Sequence, residues 1–213
     1  MTDEPKARLT VFSDYVCPFC YLEEPDLARI RREYGERVEV DYRAYELRPY
    51  PVPTLDPGGE YLHRVWNSAV YPMANSLGMT LRLPPVQPRS RRALEAAEHA
   101  RDQGRFDTMH DALFRAFFAG GRDLDDTSTL LEIGGYAGLD RDELSQALEE
   151  GSYTEKVISD EELARRLGIT SVPTILVGGS DRPFEEAEPV VGAQTGNGRL
   201  EAAVERALNR DSA

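Results

Sequence analysis

The chain has 213 residues, 40% of them hydrophobic, and carries 38 acidic against 25 basic side chains for a net charge of −13. That much apolar material supports a packed core in one domain, or in one domain with an insertion, and excludes wholesale disorder. The negative balance repels phosphate backbones and anionic lipid, so neither nucleic acid nor membrane is an expected partner.

Arg8 to Ser13, with Leu9, Val11 and Phe12, fits a short strand feeding a turn at Asp14. Val38, Val40, Tyr42 and Ala44 alternate with Glu39, Asp41, Arg43 and Tyr45, the period of a second strand. Between them Cys20, Leu27, Ile30 and Tyr34 fall near one face of a helix that Gly35 is placed to end. A parallel strand, helix, strand opening is expected.

Regular structure stops from Leu47 to Gly59, where Pro49, Pro51, Pro53 and Pro57 crowd together. Helical spacing resumes at Leu62, Val65, Trp66, Ala69 and Met73, and again at Leu94, Ala97 and Ala100. Arg89, Arg91 and Arg92 read as a solvated helix start, being followed by Glu95 and Glu98. Phe106, Met109, Leu113, Phe114 and Phe117 form a core-facing helix closed by Gly120-Gly121. Asp140 with Glu143 resembles a capping arrangement before Leu144 to Leu148, and Glu155 to Leu167 ends the section at Gly168. Thr174 to Val177 and Val190-Val191 then read as strands joined by a turn at Gly178-Gly179-Ser180-Asp181, with Leu200, Ala203, Val204 and Leu208 on a closing amphipathic helix. The fold class is α/β. Residues 1–46 and 168–213 form the core, 60–167 a helical insertion and 47–59 a proline-rich connector.

The N-terminus, Met1-Thr2-Asp3-Glu4-Pro5-Lys6, lacks the order of a secretory signal, and no apolar run approaches the ~18 residues of a membrane span, so a soluble, cytoplasmic protein is expected. In that reducing compartment the only two cysteines, in Cys17-Pro18-Phe19-Cys20, read as catalytic or redox-sensing rather than structural. With Cys17 as N-cap, Pro18 is the first helical residue, and the free N–H groups of the first turn would face the Cys17 sulfur and favour its thiolate. Cys17 is then the exposed nucleophile and Cys20, one turn inside, the buried resolving thiol. His63, His99 and His110 lack metal-ligand spacing and read as surface or helix-face residues; the two cysteines could supply half of a zinc site. Gly192, Gly196 and Gly198 do not fit a dinucleotide loop. No cofactor or metal is expected.

With its Cys-Pro-Phe-Cys helix between two strands, a helical insertion, a late Thr170-Ser171-Val172-Pro173-Thr174 and a closing Gly192-Ala193-Gln194, the chain resembles the DsbA branch of the thioredoxin superfamily, and within it the FrnE-like thiol oxidoreductases. The resemblance runs from Leu9 to about Leu208. It implies a thioredoxin-like fold with a helical insertion and a cis Pro173 beside Cys17. Val172 would offer backbone bonds to a bound peptide, and Pro25 would kink the motif helix. It also implies thiol–disulfide exchange with protein or peptide substrates, with glutathione an open candidate. The exported DsbA proteins carry histidine where this chain has Phe19, so a milder oxidant is implied, and Pro18 and Phe19 become the residues that tune the site. Kappa-class glutathione transferases and chromene-carboxylate isomerases share the architecture but use serine at the position of Cys17. A non-catalytic peptide-binding or chaperone module is the third reading. Substrate, electron partner, direction of electron flow and oligomeric state are not fixed by the sequence.

Overall fold

A computed structural model describes residues 6–193, 196 and 198–210, so Gln194 of the closing motif lies outside the described residues. β1 (Ala7–Ser13), α1 (Pro18–Tyr34) and β2 (Val38–Ala44) open the chain, and β3 (Thr174–Gly179), β4 (Glu188–Val191) and α9 (Arg199–Arg210) close it. The strands form one mixed sheet in the order β2-β1-β3-β4. β1 and β2 pair in parallel from Ala7↔Val38 to Ser13↔Ala44, while β3 runs antiparallel to both β1 and β4.

The two-residue alternation of the strands decides what each sheet face buries. Ala7, Leu9 and Val11 pack with Leu27, Ile30 and Tyr34 of α1 and with Leu200, Ala203 and Val204 of α9. Phe12 and Leu176 join a larger core built from the helices inserted between β2 and β3. α2 (Glu60–Val65), a π-helical turn (Trp66–Val70) and α3 (Tyr71–Ser76) start that insertion, where the sequence pattern suggested one uninterrupted helix. It continues through α4 (Arg91–Asp102), α5 (Phe106–Phe118), α6 (Thr127–Ala137), α7 (Arg141–Glu150) and α8 (Thr154–Arg166).

Several expectations need correction. β3 runs through Gly178 and Gly179, which pair with Arg8 and Ala7, so the turn begins only at Ser180. Arg91 is no solvated helix start, since it bonds Glu46 and lies 3.4 Å from Glu161. For His99 and His110 the helix-face alternative holds rather than the surface one, since both lie buried on α4 and α5. The His110 Nδ1 pairs with the Tyr15 hydroxyl at 3.0 Å, which takes it out of the surface role.

α6 was not foreseen, because Gly134-Gly135 interrupts its apolar pattern. The Asp126 carboxylate caps it by accepting the Thr129 N–H at 2.9 Å, and Gly138 ends it with φ 83°. Gly134 suits close packing: a Cβ at that position would stand 2.5 Å from Leu144 Cδ2 of α7, so this fully buried leucine would have to move to admit a larger residue. Gly135 is exposed, and its Cβ would meet nothing nearer than Arg141 Cγ at 4.0 Å. Gly135→Ala is therefore expected to raise the unfolding free energy by up to about 1 kcal/mol through helix propensity. Gly134→Ala is expected to lower it by about 1–3 kcal/mol, because overpacking outweighs the same propensity gain. Urea unfolding of both variants checks the contrast.

Candidate active site

The cysteine motif is delivered by a turn that Asp14 builds as the chain leaves β1. The Val16 N–H donates to Asp14 Oδ1 at 3.2 Å and the Cys17 N–H donates to the Asp14 carbonyl at 3.1 Å, an arrangement suited to a short aspartate side chain. Cys17 then has extended dihedrals as N-cap and Pro18 is the first helical residue. The first turns of α1 are fixed on the insertion by Tyr21, whose ring stacks on Phe114 and Phe118 of α5 at 5.1 and 5.7 Å between centroids.

Cys17 and Cys20 are both free thiols. Cys17 is not the exposed residue expected, being only 3% accessible, because the connector and the insertion close over it. Its side chain makes no hydrogen bond with the N–H groups of the first turn; instead its Sγ points at the Val172 carbonyl, 3.6 Å away. The Val172–Pro173 bond is cis, and the Pro173 carbonyl accepts the Gly192 N–H at 2.8 Å. Burial pushes the Cys20 thiol well above its ordinary range, and the neighbouring Cys17 adds to this. The Asp14 backbone N–H and the Ser13 hydroxyl oppose the rise without cancelling it. Cys20 is thus held protonated at neutral pH.

Cys17 lies at the floor of a groove of about 260 Å³. Pro18 and Phe19 flank it, Leu47, Arg48 and Leu55 of the connector form one wall, and Trp66, Phe117 and Phe118 of the insertion form another. Val172 completes the lining beside the sulfur, so the structure gathers Cys17, Pro18, Phe19 and Val172 around one space, with Cys20 buried behind it.

The groups that set this wall in place leave little local mark in the sequence. Four successive backbone N–H groups where β2 ends are each captured. Ala44 donates to Asp160 Oδ2 (3.2 Å), Tyr45 to the Ser13 carbonyl (3.1 Å), Glu46 to Glu161 Oε1 (3.2 Å) and Leu47 to Asp14 Oδ2 (2.7 Å). Arg43 and Lys156 neutralise Asp160, and Arg91 bridges Glu46 and Glu161. Burial pushes the Asp14 carboxyl up to about 6 in spite of the Leu47, Ser90 and Val16 donors. Burial and then the Glu46 charge push Glu161 up to about 7. Asp14 could have been noticed as an acid three residues before the first cysteine; Glu161 is too distant in sequence to give any such signal.

A family model described as a DSBA-like thioredoxin domain matches residues 8–205. The uncharacterized protein YwbO of Bacillus subtilis (strain 168) is 30% identical over 177 residues, covering 80% of this chain and 86% of that protein. The fold is similar to a "probable DsbA oxidoreductase" from Streptomyces coelicolor, at TM-score 0.74 and 24% identity over 96% of this chain and 89% of the other. It is similar also to a 2-hydroxychromene-2-carboxylate isomerase, at TM-score 0.77 and 19% identity over 96% and 98%.

The Asp14 environment makes stability depend on pH. Its folded value of about 6 lies above the ordinary 3.8. Between those values the folded chain holds a proton that the unfolded chain has lost, so this contribution declines as pH rises from about 4 to about 6 and stays lost above. A shift of about two units corresponds to roughly 3 kcal/mol. Asp14→Asn is expected to lose that part of the decline, whatever its effect at pH 4, and denaturant unfolding at half-unit steps measures the difference in slope.

Proposed function

Because the chain belongs to the DSBA-like thioredoxin domain family, we propose that it is a thiol–disulfide oxidoreductase of the FrnE-like kind in which Cys17 attacks and Cys20 resolves. The observation that carries the reading is the asymmetry of the pair: one sulfur faces the groove beside the Val172 carbonyl, and the other is sealed behind it and kept protonated by burial. In reduction, the Cys17 thiolate attacks one sulfur of a substrate disulfide and forms a mixed disulfide, with the other substrate sulfur leaving as thiolate. Cys20 then gives up its proton, which the departing thiolate can take, and attacks Cys17 Sγ. The second substrate thiol is released, the Cys17–Cys20 disulfide closes, and two electrons have passed to the substrate. Oxidation runs the same steps in reverse.

Retention of Cys20 argues against the isomerase and glutathione transferase chemistries, which need one activating hydroxyl and no resolving thiol. Val172 and Pro173 serve substrate binding in this reading, with protein or peptide thiols and disulfides as partners, and a reducing, cytoplasmic setting is the one in which an unpaired dithiol persists. Cys17→Ser is expected to abolish insulin reduction, and Cys20→Ser to accumulate mixed disulfides seen by mass spectrometry. Equal activity of Cys17→Ser and the unsubstituted protein overturns the assignment. A glutathione-buffer equilibrium should place the pair between roughly −270 and −120 mV. Phe19→His, which brings a hydrogen-bond donor and partial positive charge to the groove, should raise that potential by roughly 30 mV, equivalent to about 1.4 kcal/mol.

A further inference from the structure

We propose that Arg48 is a specificity residue that selects polypeptide substrates carrying a carboxylate side chain next to the reacting cysteine, an inference that rests on the oxidoreductase reading. Of the side chains that line the groove, Arg48 alone among the described residues carries a formal charge besides whatever charge Cys17 takes up. The other walls offer aromatic and aliphatic surface, with Thr54, Tyr61 and Gln87 as neutral polar groups.

Arg48 is half-buried, and no carboxylate among the described residues pairs with it. Two other half-buried arginines, Arg8 and Arg89, also lack a carboxylate, but they donate to backbone carbonyls and lie over the Phe184 and Tyr50 rings; others are paired with acids. Arg43, Arg91 and Arg101, with 27%, 26% and 33% of their side chains accessible, each lie against at least one carboxylate. A cation left without a counter-ion in a mostly apolar groove, on a chain of net charge −13, supplies a charge that the substrate can complement.

The position is also built rather than incidental. The preceding Leu47 N–H is fixed on Asp14 at 2.7 Å, and the Arg48 carbonyl accepts from Arg89 Nη1 at 2.8 Å. The backbone of Arg48 is therefore held on both sides, and its side chain starts from a fixed point in the wall that also holds Cys17 at its foot. The occupant is a polypeptide rather than a small thiol because apolar surface continues outside the groove. Leu47 and Tyr61 at the groove, 38% and 53% exposed, are continued beyond it by Tyr50 and Val52 of the connector, 84% and 39% exposed. They offer contacts to residues beyond the one that reacts.

Three disulfide-linked peptides that differ only in the residue after cysteine, Glu, Ala or Lys, together with glutathione disulfide, form the test. Each is mixed with the reduced protein at low salt, and released thiol is followed in a single turnover. The Glu peptide is expected to react about tenfold faster than the Lys peptide, with Ala between them, and faster than glutathione disulfide. The ratio should shrink in high salt. Arg48→Gln should abolish the preference and Arg48→Glu reverse it. Equal rates for Glu and Lys, or a preference that survives in Arg48→Gln, overturns the role of Arg48 while leaving the oxidoreductase reading standing. Glutathione disulfide reacting faster than the Glu peptide overturns the polypeptide occupant. Failure of every disulfide to react overturns the oxidoreductase reading itself, and this inference with it.

Discussion

The run of captured amides from Ala44 to Leu47 is the constraint on which the rest of the site depends. A chain leaving the edge of a sheet ordinarily gives its outward N–H groups to water. Here Asp160 and Glu161 come from α8 at the far end of the insertion, and Asp14 comes from the turn that carries the cysteines. One short segment thereby ties β2, the helical insertion and the motif into a single frame. The connector has no regular structure of its own, so it has a defined path only because its first residues are anchored in this way. A loop full of prolines adds rigidity to that path but does not select it.

That anchoring has an electrostatic cost. Carboxylates buried deeply enough to hold backbone amides firmly are partly stripped of water, and Arg91 must serve both Glu46 and Glu161. The raised values of Asp14 and Glu161 record this cost, and Asp14 stands in the turn that carries the cysteine pair. The pair itself is set by a different effect: Cys20 is held in its thiol form chiefly by loss of solvent, while Cys17 shares a groove with apolar side chains and one guanidinium. Two identical side chains three positions apart differ in what lies over them: one lines the groove and the other is sealed behind it.

Much of this was legible in the residues. A short apolar run before a turn marked β1, two-residue alternation marked β2, Pro18 after Cys17 marked the helix start, and the Val172-Pro173-Thr174 segment pointed to the stretch that meets the cysteines. What escaped detection depends on groups distant in sequence. α6 is marked by two glycines that read as a break until Leu144 is seen filling the space where a Cβ would be. Cys17 looked exposed because its cover comes from the connector and the insertion, and no local pattern announces either. Whether His99 and His110 sit at the surface or on a buried helix face stays open in the sequence, since a lone histidine on a helix carries no hint of Tyr15 or of the aromatic cluster around Phe114.

The sheet order leaves β2 and β4 as its two borders. β4 is four residues long, contains Pro189, which has no N–H to offer, and begins at Glu188, which Arg206 holds at 2.6 Å. β2 presents an exposed Glu39, and its last amide already belongs to Asp160. Both borders carry features that disfavour extension of the sheet by a second chain, a device native proteins use against edge-to-edge aggregation. With pairing at the borders disfavoured, the exposed apolar side chains around the groove are the surface most able to hold another molecule.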